Sequence, residues 1–300
     1  MTAKIVIAGS FNTDLTSYLD RMPRPGETLS GHTFVTGPGG KGSNQAVAAA
    51  RLAADVTFVG RVGKDVFAQV AFEIWDREGI NRHYVVADPD HATGVAPIFV
   101  DKHGENMIVV VLGANLNLQQ SDIDAAAAAI AGADVLIVQL EINLNMVQYA
   151  LEVARKSGVT TILNPAPAVH LSPEVLALAD YITPNETELE VLSGNPAANV
   201  VENARSLLVS DSQVFIVTMG AQGAQIVTKS HSELIPAFSV NVVDTTGAGD
   251  AFNGGLAVAL AEGKALQDAV RFANATAALC VTRPGTAPSM PQRAEVNALL

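Results

Sequence analysis

Asp244-Thr245-Thr246-Gly247-Ala248-Gly249-Asp250 sets a carboxylate at each end of a short run containing two glycines. An apolar run precedes it and a small-residue helical pattern follows. Gly247 and Gly249 remove side chains where a helix begins, so the backbone can approach a ligand closely. The unpaired N–H groups of a first helical turn point at that ligand, and the helix dipole favours negative charge there. The segment therefore suits an anion hole for a group such as phosphoryl, whose oxygens carry the charge in the transition state. Asp250, within the same turn, can accept the proton of an attacking hydroxyl. Asp244 can orient a cation or brace the loop. Phosphoryl transfer needs mainly positioning and charge stabilisation, and this segment can supply both. A glycine turn with an Asp cap is the plainer reading of any G-x-G-D; the full run between those flanks separates the two.

A second glycine-rich segment, Gly37-Pro38-Gly39-Gly40-Lys41-Gly42-Ser43-Asn44, precedes an alanine-rich helical pattern. It matches G-x-G-x-x-G but not the P-loop, because Gly42 separates Lys41 from Ser43. A dinucleotide site also wants the loop after the first strand and an acidic residue about 20 positions on. Asp55 and Asp65 are loose matches, and the loop comes late. Otherwise the segment is a backbone cradle for a small polyol, with Lys41 and Asn44 giving hydrogen bonds, or a structural turn. The histidines (His32, His83, His91, His103, His170 and His231) are scattered without metal-ligand spacing, and none is assigned a role.

These segments need a scaffold. The chain has 300 residues, 49% hydrophobic, which allows one large α/β domain or two small ones. Its one cysteine, Cys280, excludes an intrachain disulfide and cysteine-rich zinc sites, and fits a reducing, cytoplasmic setting. The net charge of −12 argues against nucleic acid as a partner. An anionic nucleotide would need a local pocket of N–H groups, lysines or metal ions. The chain enters a strand-like run at Ile5-Val6-Ile7 without a targeting pattern. Its most apolar stretch, Ala125–Leu140, is broken by Gly132 and Asp134 and reads as a helix then a buried strand, not a membrane span.

Strands are expected at Lys4–Ala8, Val56–Gly60, Val135–Gln139, Thr160–Leu163, Tyr181–Thr183 and Val214–Thr218. Helices are expected at Ser43–Leu52, Val66–Glu78, Met146–Lys156 and Leu189–Ser193. Apolar strands alternating with helices predict a mainly parallel sheet covered on both faces, with ligands beyond the C-terminal strand ends. Glu27–Thr36 and Gly94–Val111 break the alternation as extended, hairpin-like pieces, either a small inserted sheet or edge strands. Val240–Val243 reads as a strand, followed after the glycine run by helices over Ala251–Leu260 and Ala265–Val281.

With both glycine motifs in place, the chain resembles the ribokinase family of carbohydrate kinases (the PfkB superfamily), and most closely its ribokinase and deoxyribokinase branch. The likeness spans nearly the whole length. It rests on Gly9-Ser10-Phe11-Asn12-Thr13-Asp14, Gly39–Gln45, Asn164-Pro165-Ala166-Pro167-Ala168, Thr183-Pro184-Asn185-Glu186-Thr187-Glu188 and Asp244–Asp250. The resemblance implies one Rossmann-like α/β domain over residues 1–300, with a β-sheet lid inserted at about 12–36 and 93–111. It implies ATP as donor, a small sugar as acceptor and a homodimer paired through the lids. Asp250 matches the family's catalytic base, and Gly247, Ala248 and Gly249 its anion hole. Asn12, Asp14, Gly40, Lys41, Asn44 and Glu141 match sugar-contacting positions. Buried Asn and Asp suit a polyol, whose hydroxyls both donate and accept.

The resemblance further assigns Asn185 and Glu188 to the network around Mg²⁺ and phosphate, although a helix cap with a first-turn acid would read the same. Thr218, Gly220 and Gly223 match the nucleotide loop, and Asn274 an adenine-side position. Activation by K⁺ is expected at Asp244, Thr246, Cys280, Arg283, Gly285 and Ser289, mostly through backbone carbonyls. There Cys280 would give its carbonyl, its thiol being a buried small hydrophobe. Asn12 favours ribose, since an amide facing the missing 2-hydroxyl of deoxyribose would be left unpaired. Gly94–Val100 and Val217–Gly220 lean towards the deoxyribose side. A phosphorylated sugar would call for more Arg or Lys than Lys41. A nucleoside would need an aromatic shelf, which Phe11 and the lid could supply. A non-catalytic sensor on the same fold is the reading from another class.

Overall fold

The computed structural model describes residues 2–196 and 199–300. The central sheet is built around β1 (Lys4–Ala8), flanked by β4 (Asp55–Gly63) and then β5 (Asn81–Asp88) on one side. On the other side run β8 (Val135–Val138), β9 (Thr160–Leu163), β10 (Tyr181–Ile182), β11 (Val214–Thr218), β12 (Gly223–Val227) and β13 (Ser232–Pro236). All pair in parallel up to β11, and only β12 and β13 run antiparallel. The expected mainly parallel α/β sheet is what the chain forms.

The alternation within each strand explains why these runs are apolar throughout. Ile5 and Ile7 of β1 and Val135 and Ile137 of β8 face one layer; Val6, Ala8, Leu136 and Val138 face the other. The first layer holds α1 (Lys41–Arg51), α2 (Val66–Arg77), α8 (Ala248–Ala261), α9 (Leu266–Cys280) and α10 (Arg293–Leu299). The second holds α3 (Gln120–Ala131), α4 (Leu144–Lys156), α5 (Pro173–Leu176), α6 (Glu186–Ser193) and α7 (Val200–Leu207). A strand buried on both faces cannot show polar alternation.

One close approach matters for the site. A Cβ on Gly254 of α8 would lie 2.6 Å from the Ala48 Cβ of α1. Glycine there lets the two helices meet, and their first turns then converge beyond the end of β1.

A second sheet orders β3 (Thr33–Gly39), β2 (Asn12–Tyr18), β6 (Gly94–Val100) and β7 (Asn106–Ile108). Asn12 is paired with both Gly39 and Gly94, so this sheet begins at the mouth of the central one. Of the two extended pieces, the first becomes a strand only from Thr33, and the second loses regular pairing after Ile108 apart from a bridge between Val95 and Val111. Tyr18, Phe34, Val35, Met107 and Ile108 are exposed on it.

The strand expected at Val240–Val243 does not form. Val242 and Val243 are exposed, and Val243 N donates to Val281 O at the end of α9 rather than to a neighbouring strand. Val240 and Val242 instead wall a cavity, which is why the run is apolar. Asp244 therefore follows a loop, not a strand.

Candidate active site

Asp250 lies in the first turn of α8, 7% exposed. Its Oδ2 accepts from Asn44 Nδ2 at 2.9 Å and its Oδ1 from Gln45 Nε2 at 3.0 Å. Burial raises the Asp250 carboxyl; the Lys41 charge and the two amide donors oppose it only in part. A carboxylate raised in this way is a better proton acceptor than a solvated one. Burial disfavours the Lys41 ammonium, but the charges of Asp250, Glu141 and Glu188 outweigh it and hold it protonated.

Gly247 caps α8 in the left-handed conformation, φ 81°. Such a first turn has no intrahelical acceptors for its N–H groups. Gly247, Ala248, Gly249 and Asp250 line a cavity of about 150 Å³ together with Lys41, Asn164, Thr183, Glu188 and Asn253. A larger cavity of about 740 Å³ shares Asn185, Thr218, Thr245, Ala248 and Gly249 with it. Its walls include Gly220, Gly223, Phe238, Val240, Val242, Asn274, Ala277 and Val281. Apolar walls opening onto a helix N-terminus suit a flat base with its phosphates at Gly249. Asn274 uses its amide hydrogens on Ile235 O and Pro236 O, at 2.9 and 3.2 Å, so its N–H groups hold the β13 end instead of facing the cavity.

On the other side of Asp250, Glu141 Oε2 accepts from Ser10 Oγ (2.5 Å), Lys41 N (2.9 Å) and Asn12 Nδ2 (3.5 Å). Asn115 Nδ2 donates to Asn12 Oδ1 at 3.0 Å. Gly40 is the N-cap of α1, beside Asn12. Asp14 projects from β2 against Gly39; burial, with the charges of Glu141 and Asp250, pushes its carboxyl up to about 7 despite a bond from Thr286. Asn12, Asp14, Gly40, Lys41, Asn44, Glu141 and Asp250, from four separate stretches of chain, are thus brought together, with Lys41 and Asp250 lining the smaller cavity.

Asn185 and Glu188 form a reciprocal capping box on α6: each backbone N–H bonds the other's side chain at 2.8 Å. Glu188 also lines the smaller cavity, and burial raises its carboxyl. Among the described residues no group of three or more His, Cys, Asp or Glu could by itself hold a metal ion. The donor set fits a divalent ion that keeps waters and phosphate oxygens as most of its ligands, needing few protein carboxylates.

Asp244 ties two loops together, accepting from Thr246 N and Gly285 N, each at 2.9 Å. The Cys280 Sγ lies 4.0 Å from Thr246 O and 3.0 Å from Ser289 Oγ, and burial pushes its thiol up to about 11. Thr246 and Gly285 thus gather on the Asp244 carboxylate, with Cys280 and Ser289 beside Thr246, next to the start of α8. The Arg283 side chain is not with them; it pairs with Glu295.

Gln45 is missed by reading the sequence. It is fully buried, donates to Asp250 and to Asn164 Oδ1 (3.1 Å), and accepts from Gln139 Nε2 (2.6 Å). Its signal is a pair of polar residues, Asn44-Gln45, at the start of an otherwise small and apolar helix. Ser10, Asn115 and Asn253 carry no comparable signal. Gln45→Leu should lower kcat about tenfold or more and stability by about 1–3 kcal/mol, since it strands buried polar groups. Gln45 lowers the Asp250 carboxyl, so the acidic limb of the pH–kcat/KM profile should move to higher pH. An unmoved limb would contradict the assignment.

Residues 2–293 match the family model described as pfkB family carbohydrate kinase. The chain belongs to the pfkB carbohydrate kinase family. It is similar to a ribokinase of Haemophilus influenzae, 41% identical over 298 residues, covering 98% of this chain and 97% of that one. It is equally similar to a deoxyribokinase of Salmonella typhi, 41% identical over 300 residues, covering 99% and 98%. A solved structure of Arabidopsis thaliana ribokinase, complexed with ribose and ATP, superposes with TM-score 0.90 at 32% identity, covering 100% of this chain and 99% of that one. This carbohydrate kinase has no helix, among the described residues, long and apolar enough to cross a membrane.

Proposed function

We propose that the chain transfers the terminal phosphoryl group of ATP to the primary hydroxyl of ribose, giving ribose 5-phosphate and ADP. One observation carries the reading. The Asp250 carboxylate is buried between a cluster of Asn, Asp and Glu side chains on one side and the open first turn of α8 on the other. Asn12, Asp14, Lys41, Asn44 and Glu141 hold the sugar, and Asp250 takes the proton from the attacking oxygen. The oxygen then attacks the terminal phosphorus, and the N–H groups at Gly247–Gly249 with Lys41 stabilise the charge on the transferring group.

The base lies in the larger cavity by Gly220, Gly223 and Asn274, with Thr218 and Asn185 at the phosphate end. Glu188, with Asn185 beside it, would help hold a magnesium ion bound with the nucleotide, which would supply charge neutralisation at the phosphates. Asp244, Thr246, Cys280, Arg283, Gly285 and Ser289 would hold a potassium ion behind the anion hole, with Arg283 and Cys280 giving only backbone. The exposed apolar residues of the small sheet pair with a second copy, making that sheet a lid in a cytoplasmic homodimer.

The 41% identity to a deoxyribokinase favours deoxyribose as the second reading. Against it stands Asn12, 2% exposed and braced by Asn115, with an amide that suits a sugar hydroxyl. ADP release should be measured from ATP and Mg²⁺ with ribose, deoxyribose, fructose, fructose 6-phosphate and adenosine. Ribose should exceed deoxyribose in kcat/KM by at least about tenfold, with a higher rate in potassium than in sodium buffer. A preference for deoxyribose would move the assignment, and no turnover with any acceptor would leave a non-catalytic sensor.

A further inference from the structure

Thr286 lies on the loop after α9, in none of the motifs that drew attention in the sequence. Its hydroxyl is 3.2 Å from Asp14 Oδ2 and 2.9 Å from the backbone oxygen of Pro38. Pro38 is opposite Thr13 in the β2–β3 ladder, so both contacts fall where the small sheet leaves the main body. The preceding residue, Gly285, donates to Asp244, and the Thr286 Cα is 3.4 Å from where a side chain on Gly247 would begin. Thr286 thus touches the acceptor side and the anion-hole side at once.

A hydroxyl has one proton and can serve one acceptor at a time. With Asp14 ionised, the charge-assisted bond to Asp14 is the stronger choice. With Asp14 protonated, the carboxyl donates to Thr286 and Thr286 donates to Pro38. The first arrangement leaves the carboxylate free to accept from a sugar hydroxyl.

We infer that the Thr286 hydroxyl is a positioning group for the acceptor, donating to Asp14 and so holding it as the carboxylate that accepts from the sugar. The inference rests on the assignment of Asp14 to the sugar. Burial and like charge work against that state. The charged groups facing Asp14 are Glu141 and Asp250, both disfavouring ionisation, while Lys41 is turned to Asp250, Glu141 and Glu188. The bond from Thr286 is the opposing contribution.

The test measures kcat, KM for ribose and KM for ATP in Thr286→Val, Thr286→Ala and Thr286→Ser across about pH 6 to pH 9. Val and Ala should raise the ribose KM roughly tenfold near neutral pH, leaving kcat and the ATP KM within about twofold. Ser should restore the wild-type ribose KM. The defect should shrink as pH rises, because Asp14 then ionises without help. A loss in kcat alone, equal changes in both KM values, a pH-independent defect or no rescue by Ser would each overturn the inference. If the wild type turns over ribose and neither Val nor Ala changes its KM, the inference alone falls. If the wild type turns over no sugar, the assignment of Asp14 falls and the inference with it.

Discussion

Asp250→Asn is expected to lower kcat for sugar phosphorylation by about 10²–10⁴-fold, the usual range for losing a positioned general base. ATP affinity and fold should stay close to wild type. The substitution is isosteric and keeps α8, its glycine cap and the cavity walls. Burial disfavours the Asp250 charge, so a neutral amide removes one unfavourable feature. The amide must present a hydrogen towards Asn44 or Gln45, which one of them can accommodate by rotating its own amide. The loss should therefore appear in kcat, read in a coupled ADP assay, with binding of a non-hydrolysable ATP analogue unchanged in calorimetry. Turnover near the wild-type rate would remove Asp250 from the role of base.

The largest loss of stability is expected from Arg61→Ala, about 3–5 kcal/mol, because it leaves two carboxylates buried without their cation. Arg61 Nε and Nη2 bond Asp122 at 2.6 and 3.1 Å, and Nη1 bonds Asp88 at 2.9 Å. Asp88 is 1% exposed. Burial alone would raise its carboxyl, but Asn117, the Asp90 N–H and Arg61 outweigh burial and hold it well below the usual range. A group depressed in the folded state stabilises above its unfolded pKa, and that contribution fades as pH falls through the folded value. In the variant the stranded Asp88 carboxylate can protonate, so the deficit should narrow in acid. Denaturant unfolding at neutral and acidic pH measures both effects. The site should feel it too, since Asn117 and Asn115 share one short turn and Asn115 braces Asn12. A deficit under about 1 kcal/mol would mean that the cluster is solvated.

The strands buried on both faces were legible, because an apolar run such as Lys4–Ala8 or Val214–Thr218 has few other uses. β5 and β13 were not expected, because they are edge strands carrying polar or exposed residues, and β12 was not, because Gly223 and Gln225 break up its short apolar run. Val240–Val243 has the composition of a strand, yet two of its residues wall a cavity; composition cannot tell a strand neighbour from a ligand-sized space. The glycine run before Asp250 marked, from local chemistry alone, a helix start that the fold places on a cavity. The contact between Asp250 and Asn44, 206 residues apart, depends on α8 lying on α1, and Gly254 permits that packing without advertising it. Gln45 and Thr286 likewise reach Asp250 and Asp14 only through long-range contacts. Of the two readings of Asn185 and Glu188, the helix cap is what forms, and both residues also border the cavity.

The proposed reaction is phosphorylation of a sugar hydroxyl beside Asp250. Its most direct test is a ³¹P–¹H correlation spectrum of the reaction of the wild-type chain with ribose, ATP and Mg²⁺. One sugar phosphate is expected, coupled to the protons of the primary carbon of ribose and formed in step with ADP. ADP without a sugar phosphate, phosphate on another carbon, or no reaction at all would contradict it.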